Sequence, residues 1–390
     1  MKRALCPILV VLASLFATPG HALDEAIGRA LFRRAWVPAP SSTKANAGLG
    51  PLFNARSCAA CHKDLARQPV ATDAVGQVES DNIALRFSDA AGAPDPVYGR
   101  QMQPSAVTGT EPEGHAVLRG GRYEASGLAY GPLAEGARTG ALLAPSLRGL
   151  GLLDTIPDAV IAAGAERQGE GISGRVNWIA GPDGRKRAGR FGWKASAATL
   201  NAQVETAFLL DLGLSTPGRL QAAGDCTAAQ RTCLQAPHGG QNGGPEIPDE
   251  IVSRVAAYLA SIPPDEPEAV DHKGRALFAA AGCASCHVPS LPGAGGPVRA
   301  FSDLLLHDMG PTLDGGATEP GVASTEWRTA PLWGLSRTLA NGAGLLHDGR
   351  ATTIEDAIKL HGGEAAGSRA RFDTLALAER RRLIDFLKSL

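Results

Sequence analysis

The chain has almost no excess of either charge: 38 Lys and Arg stand against 39 Asp and Glu, for a formal net charge of −1. Nothing in that balance points to nucleic acid or a charged membrane surface as a partner. Long apolar runs are also missing. Leu5–Phe16 is short for a bilayer span, and no later segment has the roughly 18 consecutive apolar residues that a crossing helix needs. Sulfur and imidazole are sparse, with seven Cys, three Met and nine His in 390 residues. Where they cluster, the clustering carries information.

The rest of the composition suits a folded, loop-rich protein. Apolar residues make up 44%, enough to bury cores in two or three domains, while 48 Gly and 27 Pro favour turns. Lys2 and Arg3 ahead of Leu5–Phe16, followed by Pro19-Gly20-His21-Ala22, read as a secretory signal cleaved after Ala22. The expectation is a periplasmic protein, in a compartment that tolerates disulfides.

Two pentapeptides dominate what is present: Cys58-Ala59-Ala60-Cys61-His62 and Cys283-Ala284-Ser285-Cys286-His287. Paired thiols three positions apart, with a His directly after, form the attachment motif of covalent haem c. The thiols bind the vinyl groups and the His ligates the iron, so His62 and His287 are the expected proximal ligands. A zinc site wants paired ligand sets close together, and these pairs lie far apart in the chain. Cys6 falls in the signal, which leaves Cys226 and Cys233; a local disulfide between them is expected.

Gly28-Arg29-Ala30-Leu31-Phe32 precedes the first motif and Gly274-Arg275-Ala276-Leu277-Phe278 the second, an internal echo. A closing helix is predicted after each: Ile251, Val255, Tyr258, Leu259 and Ile262 recur at helical spacing, as do Leu375, Leu383, Ile384, Phe386, Leu387 and Leu390. Ile262-Pro263-Pro264-Asp265-Glu266-Pro267 reads as a linker. The expected architecture is mainly α, with two cytochrome c-like haem modules. Residues 1–22 form the signal, 23–262 the first haem domain with a large loop-rich insertion, and 263–390 the second. The stretch 70–190 is expected to hold loops, short helices and a small hairpin or two.

A second axial ligand largely separates electron transfer from chemistry. Candidates are Met102, Met309, His115, His238, His272, His307, His347 and His361; the last ends the helical stretch 353–360 and precedes Gly362-Gly363. His238 and His272 read as solvated surface residues.

From Gly28 to Leu390 the chain resembles the di-haem oxidoreductase family, whose members are described as peroxidases or thiol oxidoreductases. The resemblance runs through Gly50-Pro51-Leu52-Phe53-Asn54-Ala55-Arg56-Ser57, Asp95-Pro96-Val97-Tyr98-Gly99-Arg100-Gln101 and Gly189-Arg190-Phe191-Gly192-Trp193-Lys194. It continues through Asp303-Leu304-Leu305-Leu306-His307-Asp308-Met309-Gly310, Trp327-Arg328-Thr329-Ala330-Pro331-Leu332-Trp333-Gly334 and Leu346-His347-Asp348-Gly349-Arg350. More distantly, the layout is similar to the bacterial di-haem cytochrome c peroxidases and the enzyme that matures methylamine dehydrogenase. That resemblance places the second ligand of the haem on His287 at His361, with Met309 and His307 as alternatives. It also implies Trp193 as electron relay, Gln203 as a pocket hydrogen-bonder and Asp211 as the distal acid/base. Trp193 otherwise reads as a core aromatic and Asp211 as a helix-end carboxylate, with Glu205 its rival. No exchangeable His follows the first motif, so the haem on His62 either lacks a protein sixth ligand or takes one from His115, Met102, Tyr123 or Tyr130.

The function so implied is a peroxidase: a small-molecule oxidant reduced at the first haem, with electrons from a small redox protein or small-molecule donor relayed through the second. The alternatives are an electron carrier without its own substrate, or an oxidase of thiols, sulfur compounds or iron. The resemblance further implies a calcium ion between the domains, for which the sequence assigns no ligands.

Overall fold

A computed structural model describes residues 19–43, 46–166, 169, 171–240, 244–265 and 271–390. The charged and apolar parts of the predicted signal, with Cys6, lie outside these residues, as do Glu266 and Pro267 of the predicted linker. Among the described residues are twelve α-helices and fourteen short strands, and every sheet has two strands. No helix there is long and apolar enough to cross a membrane.

The frame is set by two helix pairs. The helix Pro19–Arg33 crosses the helix Asp249–Ser261 at Gly28. A Cβ at Gly28 would land on the carbonyl oxygen of Arg254, so the missing side chain is what lets the backbones meet. Phe32 packs beside Tyr258, with ring centroids 5.6 Å apart. The second pair repeats this. The helix His272–Ala280, capped by Asp271, meets the helix Leu377–Lys388 at Gly274. A Cβ there would strike Cβ of Phe386, and Phe278 lies 5.7 Å from the Phe386 ring. Both echo glycines are therefore helix-crossing positions.

Twelve helices agree with the helical part of the expectation, and the stretch 70–190 holds two small hairpins as expected, together with a long-range strand pair. Ile83–Ser88 pairs antiparallel with Arg138–Leu143, and His115–Arg119 forms a hairpin with Arg122–Ser126. A second hairpin joins Trp178–Ala180 to Lys186–Ala188. Ile83, Leu85, Phe87, Tyr98, Met102, Ala141 and Leu143 build a separate small core there. The largest core gathers Leu31, Phe32, Phe208, Val255 and Leu259, and takes in Leu291, Val298, Ala300, Leu304 and Leu305 from beyond the proline-rich stretch. Apolar residues from both sides of 262–267 share it.

The helix Leu200–Leu212 is buried through much of its circumference. Thr199 caps its start by accepting from the Ala202 amide, and Gly213 ends it at φ 66°. Leu200, Gln203, Val204, Ala207 and Asp211 fall on one stripe at helical spacing, and that stripe faces the cavity described next.

Candidate functional site: one cavity shared by both Cys-x-x-Cys-His motifs

A cavity of about 810 Å³ is lined by Cys58, Cys61 and His62 together with Cys283, Cys286 and His287. The first motif forms a single helical turn, Cys58–Cys61, whose Ser57 cap accepts from the Ala60 amide at 3.2 Å. The second is a 3-10 turn, Cys283–Ser285, entered through Gly282 at φ 80°.

The two motif imidazoles are held alike. His62 donates Nδ1–H to the Pro145 carbonyl at 3.0 Å, and His287 donates its own to Phe301 at 2.9 Å. That tautomer leaves an Nε2 lone pair on each ring. Burial pushes both rings down to about 4, so both are neutral, the form that binds metal. The motif thiols are not joined to one another. Burial, and then the charge of Asp211, raises Cys58 to about 12; burial raises Cys283 to about 11. Asn54 Nδ2 bonds the Asp81 carbonyl at 2.7 Å, and Cys61 Sγ lies 2.9 Å from the same oxygen.

These residues fit a haem. Two neutral imidazoles with lone pairs free, each beside two unpaired thiols, face a cavity with largely apolar walls. The motif side chains keep some accessible surface although they are desolvated from bulk water. All six line the cavity.

His361 is placed at the end of the helix Ile354–Leu360, whose Thr353 cap accepts from the Asp356 amide. Its Nδ1–H goes to the Ala357 carbonyl at 2.7 Å, and burial lowers its pKa. It lines the cavity and lies near enough to His287 for its charge to act on that ring. The alternative His307 is differently committed. Its Nε2 meets Asp303 at 2.9 Å and its Nδ1 meets Glu364 at 2.7 Å. Burial opposes protonation, but the hydrogen bond and charge of Asp303 outweigh it and hold the ring at about 11. An imidazolium has no lone pair for iron. Met309 is half-buried in the cavity wall.

Trp193, Gln203 and Asp211 all line the same cavity. Trp193 donates Nε1–H to the Leu143 carbonyl at 2.9 Å, and the Leu143 amide donates to His347 O at 2.7 Å. Asp211 sits at the end of its helix. Its carbonyl accepts from the amides of Asn54 and Ala55, which ties the helix end to the first motif. Burial raises the Asp211 carboxyl, while Arg86 and a 3.0 Å bond from Gln101 to Oδ1 act the other way. Its rival Glu205 lies outside the cavity wall and accepts from the Gly218 amide.

Of the other ligand candidates, Met102 belongs to the small core beside Phe87, and neither it nor His115, Tyr123 or Tyr130 lines the cavity. Cys226 and Cys233 are paired, with Cα atoms 6.4 Å apart. Among the described residues, Cys286, Asp303 and His307 bring three donor atoms within 4.8 Å of one another. Sulfur and imidazole are not the oxygen set that calcium takes.

Sequence reasoning missed several cavity residues. Arg67 and Arg328 are both desolvated into the wall. Trp327 stacks on His347 at 3.8 Å and 10°, with Lys194 Nζ 3.5 Å from the indole centroid on the same ring. Arg328, Trp327 and Lys194 fall inside stretches that carried the resemblance, and His347 is among the ligand candidates of the sequence; nothing marked Arg67.

Comparison with known proteins follows from this site. Residues 125–390 match the family described as "Di-haem oxidoreductase, putative peroxidase". No curated protein matches the chain. Among solved structures, Kuenenia stuttgartiensis hydrazine synthase is 13% identical over 100% of both chains, with a TM-score of 0.39. A variant of the diheme peroxidase BthA from Burkholderia thailandensis is 15% identical, over 94% of this chain and 85% of that one, with a TM-score of 0.41. A MauG-like protein associated with microbial copper homeostasis is 18% identical, over 62% and 87%, with a TM-score of 0.30. At these scores the structural likenesses carry no conclusion. The family match spans more than half of the sequence and includes the second motif and His361, and the chain belongs to the di-haem oxidoreductase family.

Proposed function

We propose that this chain is a periplasmic di-haem c-type cytochrome that reduces a peroxide at the haem on His62, with electrons passed from the haem on His287. The observation that carries the reading is that one cavity contains both motifs, a tryptophan and a desolvated carboxylate. In this reading Cys58 and Cys61, and Cys283 and Cys286, hold the two haems covalently. Residues 23–262 and 263–390 act as two haem modules, the first with its insertion. When bound, the haems supply the iron and the electrons that cleave the peroxide bond. Hydrogen peroxide takes up two electrons and two protons and gives two waters.

The chain's own residues do the rest. Asp211 holds a proton more readily than an exposed Asp, because burial disfavours its charged form. It can take a proton from the bound peroxide and return it to the leaving oxygen. Gln101 donates to Oδ1 and fixes the orientation of that carboxyl group. Gln203 sits one turn from Ala207 on the same stripe and offers a neutral amide to a polar ligand. Trp193 lines the cavity wall, with Arg67 over its ring and the Arg328 amide on its carbonyl, and in this reading its ring would shorten the electron's path. His361, with Nδ1–H on the Ala357 carbonyl, would offer Nε2 as the second ligand of the haem held by Cys283 and Cys286. Of the other cavity imidazoles outside the motifs among the described residues, His307 is held by two carboxylates and His347 has its ring face covered by Trp327. In this reading, the haem held by Cys58 and Cys61 would be the one that meets the peroxide. A small redox protein or small-molecule donor supplies the electrons.

The test is to reduce the holoprotein, add hydrogen peroxide and follow both haem spectra. Two electrons are expected to leave per peroxide, faster than from free haem, and Trp193→Phe is expected to slow reoxidation of the second haem. Reoxidation no faster than free haem overturns the reading.

A further inference from the structure

The cavity wall is basic in a chain that is not. Seven arginines and four acidic residues line it, whereas the whole sequence carries a net charge of −1. Two of those arginines converge on one residue. Arg67, 8% exposed, lies with Cζ 5.3 Å from the Trp193 ring centroid, and its Nη2 donates to the Leu346 carbonyl at 2.5 Å. Arg328 donates its amide to Trp193 O at 3.0 Å, its Nε to Gly192 O at 2.9 Å and Nη1 to Thr329 O at 3.1 Å.

Neither guanidinium forms an ion pair within 4 Å among the described residues. Asp348 and Asp303 act on them only from a distance. Arg67 Nε is buried with no hydrogen-bond partner at all, as is Nε of Arg86 further along the wall. A buried, under-bonded cation is costly unless an anion completes it. Guanidinium geometry matches a carboxylate.

We propose that Arg67 and Arg328 anchor haem propionates beside Trp193, the Arg67 guanidinium lying over the indole and the Arg328 guanidinium on the neighbouring Gly192 carbonyl. The inference rests on the di-haem reading above. It makes both arginines positioning residues, which set the depth of each macrocycle and the charge around the tryptophan between them.

The test is spectroelectrochemical titration of the holoprotein, with haem content measured by mass, and no oxidant added. A cation beside a propionate favours the reduced haem. Arg67→Gln is therefore expected to shift at least one ferric–ferrous equilibrium tenfold or more toward ferric, 59 mV for a one-electron couple. Arg67→Lys keeps the charge and is expected to shift it less. Arg328→Gln provides the independent variant if Arg67→Gln fails to mature. Two haems with unchanged potentials in the glutamine variants overturn this inference alone, including the case where only binding of an anionic oxidant weakens. A wild-type protein without two covalent haems overturns it together with the reading it rests on.

Discussion

Gly28–Phe32 and Gly274–Phe278 carry the same five residues, and each sits on a helix that ends before a Cys-x-x-Cys-His turn. At both, glycine meets a later helix and the following Phe packs against an aromatic of that helix. Each motif His then donates Nδ1–H to a later backbone carbonyl, 83 residues on for His62 and 14 for His287. The surroundings diverge. The first motif is followed by the long stretch that carries the hairpins, Trp193 and Asp211, and its neighbouring titratable group is a carboxylate. The second is followed by a shorter stretch that ends in His361, a neutral imidazole with its Nε2 lone pair available. One frame thus presents a desolvated carboxylate beside one motif and a buried imidazole beside the other. In the proposed reading, the difference between catalyst and relay lies in what the following stretches bring back, not in the motifs themselves.

The largest effect expected from breaking that asymmetry is at Asp211. Asp211→Asn should lower peroxide turnover by about 10²–10⁴-fold, the usual size of a lost general acid/base. Glu205→Gln should stay within about twofold, as surface substitutions do. Stopped-flow reoxidation measures both, and equal losses would remove the special role of Asp211.

The shared frame is tested next. Gly28→Ala and Gly274→Ala should each destabilise the protein by about 1–3 kcal/mol, because each new Cβ meets an atom of the crossing helix. Thermal melts of the holoprotein read this. A cost at only one of the two sites would show that the echo is not a structural repeat.

The relay side is sharpened by His361→Met. Met/His ligation raises a haem potential, so the equilibrium of the second haem should move toward ferrous by about tenfold or more, or 59 mV. An unchanged potential would mean that His361 is not the ligand.

The smallest effect separates two buried histidines of the C-terminal half. Burial, reinforced by the cations around it, pushes His347 down to about 2. The unfolded chain therefore binds the extra proton below about 6.5, and this group's contribution to stability is lost as pH falls from there toward 2. His307, held at about 11 by Asp303 against burial, behaves oppositely. Its contribution is full below about 6.5 and is lost as pH rises through 11. Each amounts to at most about 1.4 kcal/mol per pH unit. Denaturant titrations of His347→Phe should flatten the acid limb and those of His307→Gln the alkaline limb.

Much of this was legible beforehand because it is local. The haem motifs, the echo and the two closing helices are contiguous patterns, and helix Asp249–Ser261 buries Val255, Tyr258 and Leu259 as their spacing predicts. The strand pair Ile83–Ser88 with Arg138–Leu143 was not legible, since its partners are separated by a long, glycine-rich stretch. Nor was the commitment of His307, which depends on Glu364 arriving from another element.

By itself, the order of residues determined that two Cys-x-x-Cys-His pentapeptides exist, that each is preceded by a glycine-bearing helix, and that neither charge nor apolar run points to nucleic acid or a bilayer. Covalent spacing and periodicity suffice for that. Only the tertiary structure decided that both motifs face a common volume, that His361 and not His307 keeps a lone pair there, and that Arg67 and Arg328 meet at Trp193. Those outcomes depend on side chains far apart in the chain sharing one desolvated space, where partner and burial set the charge state of each group.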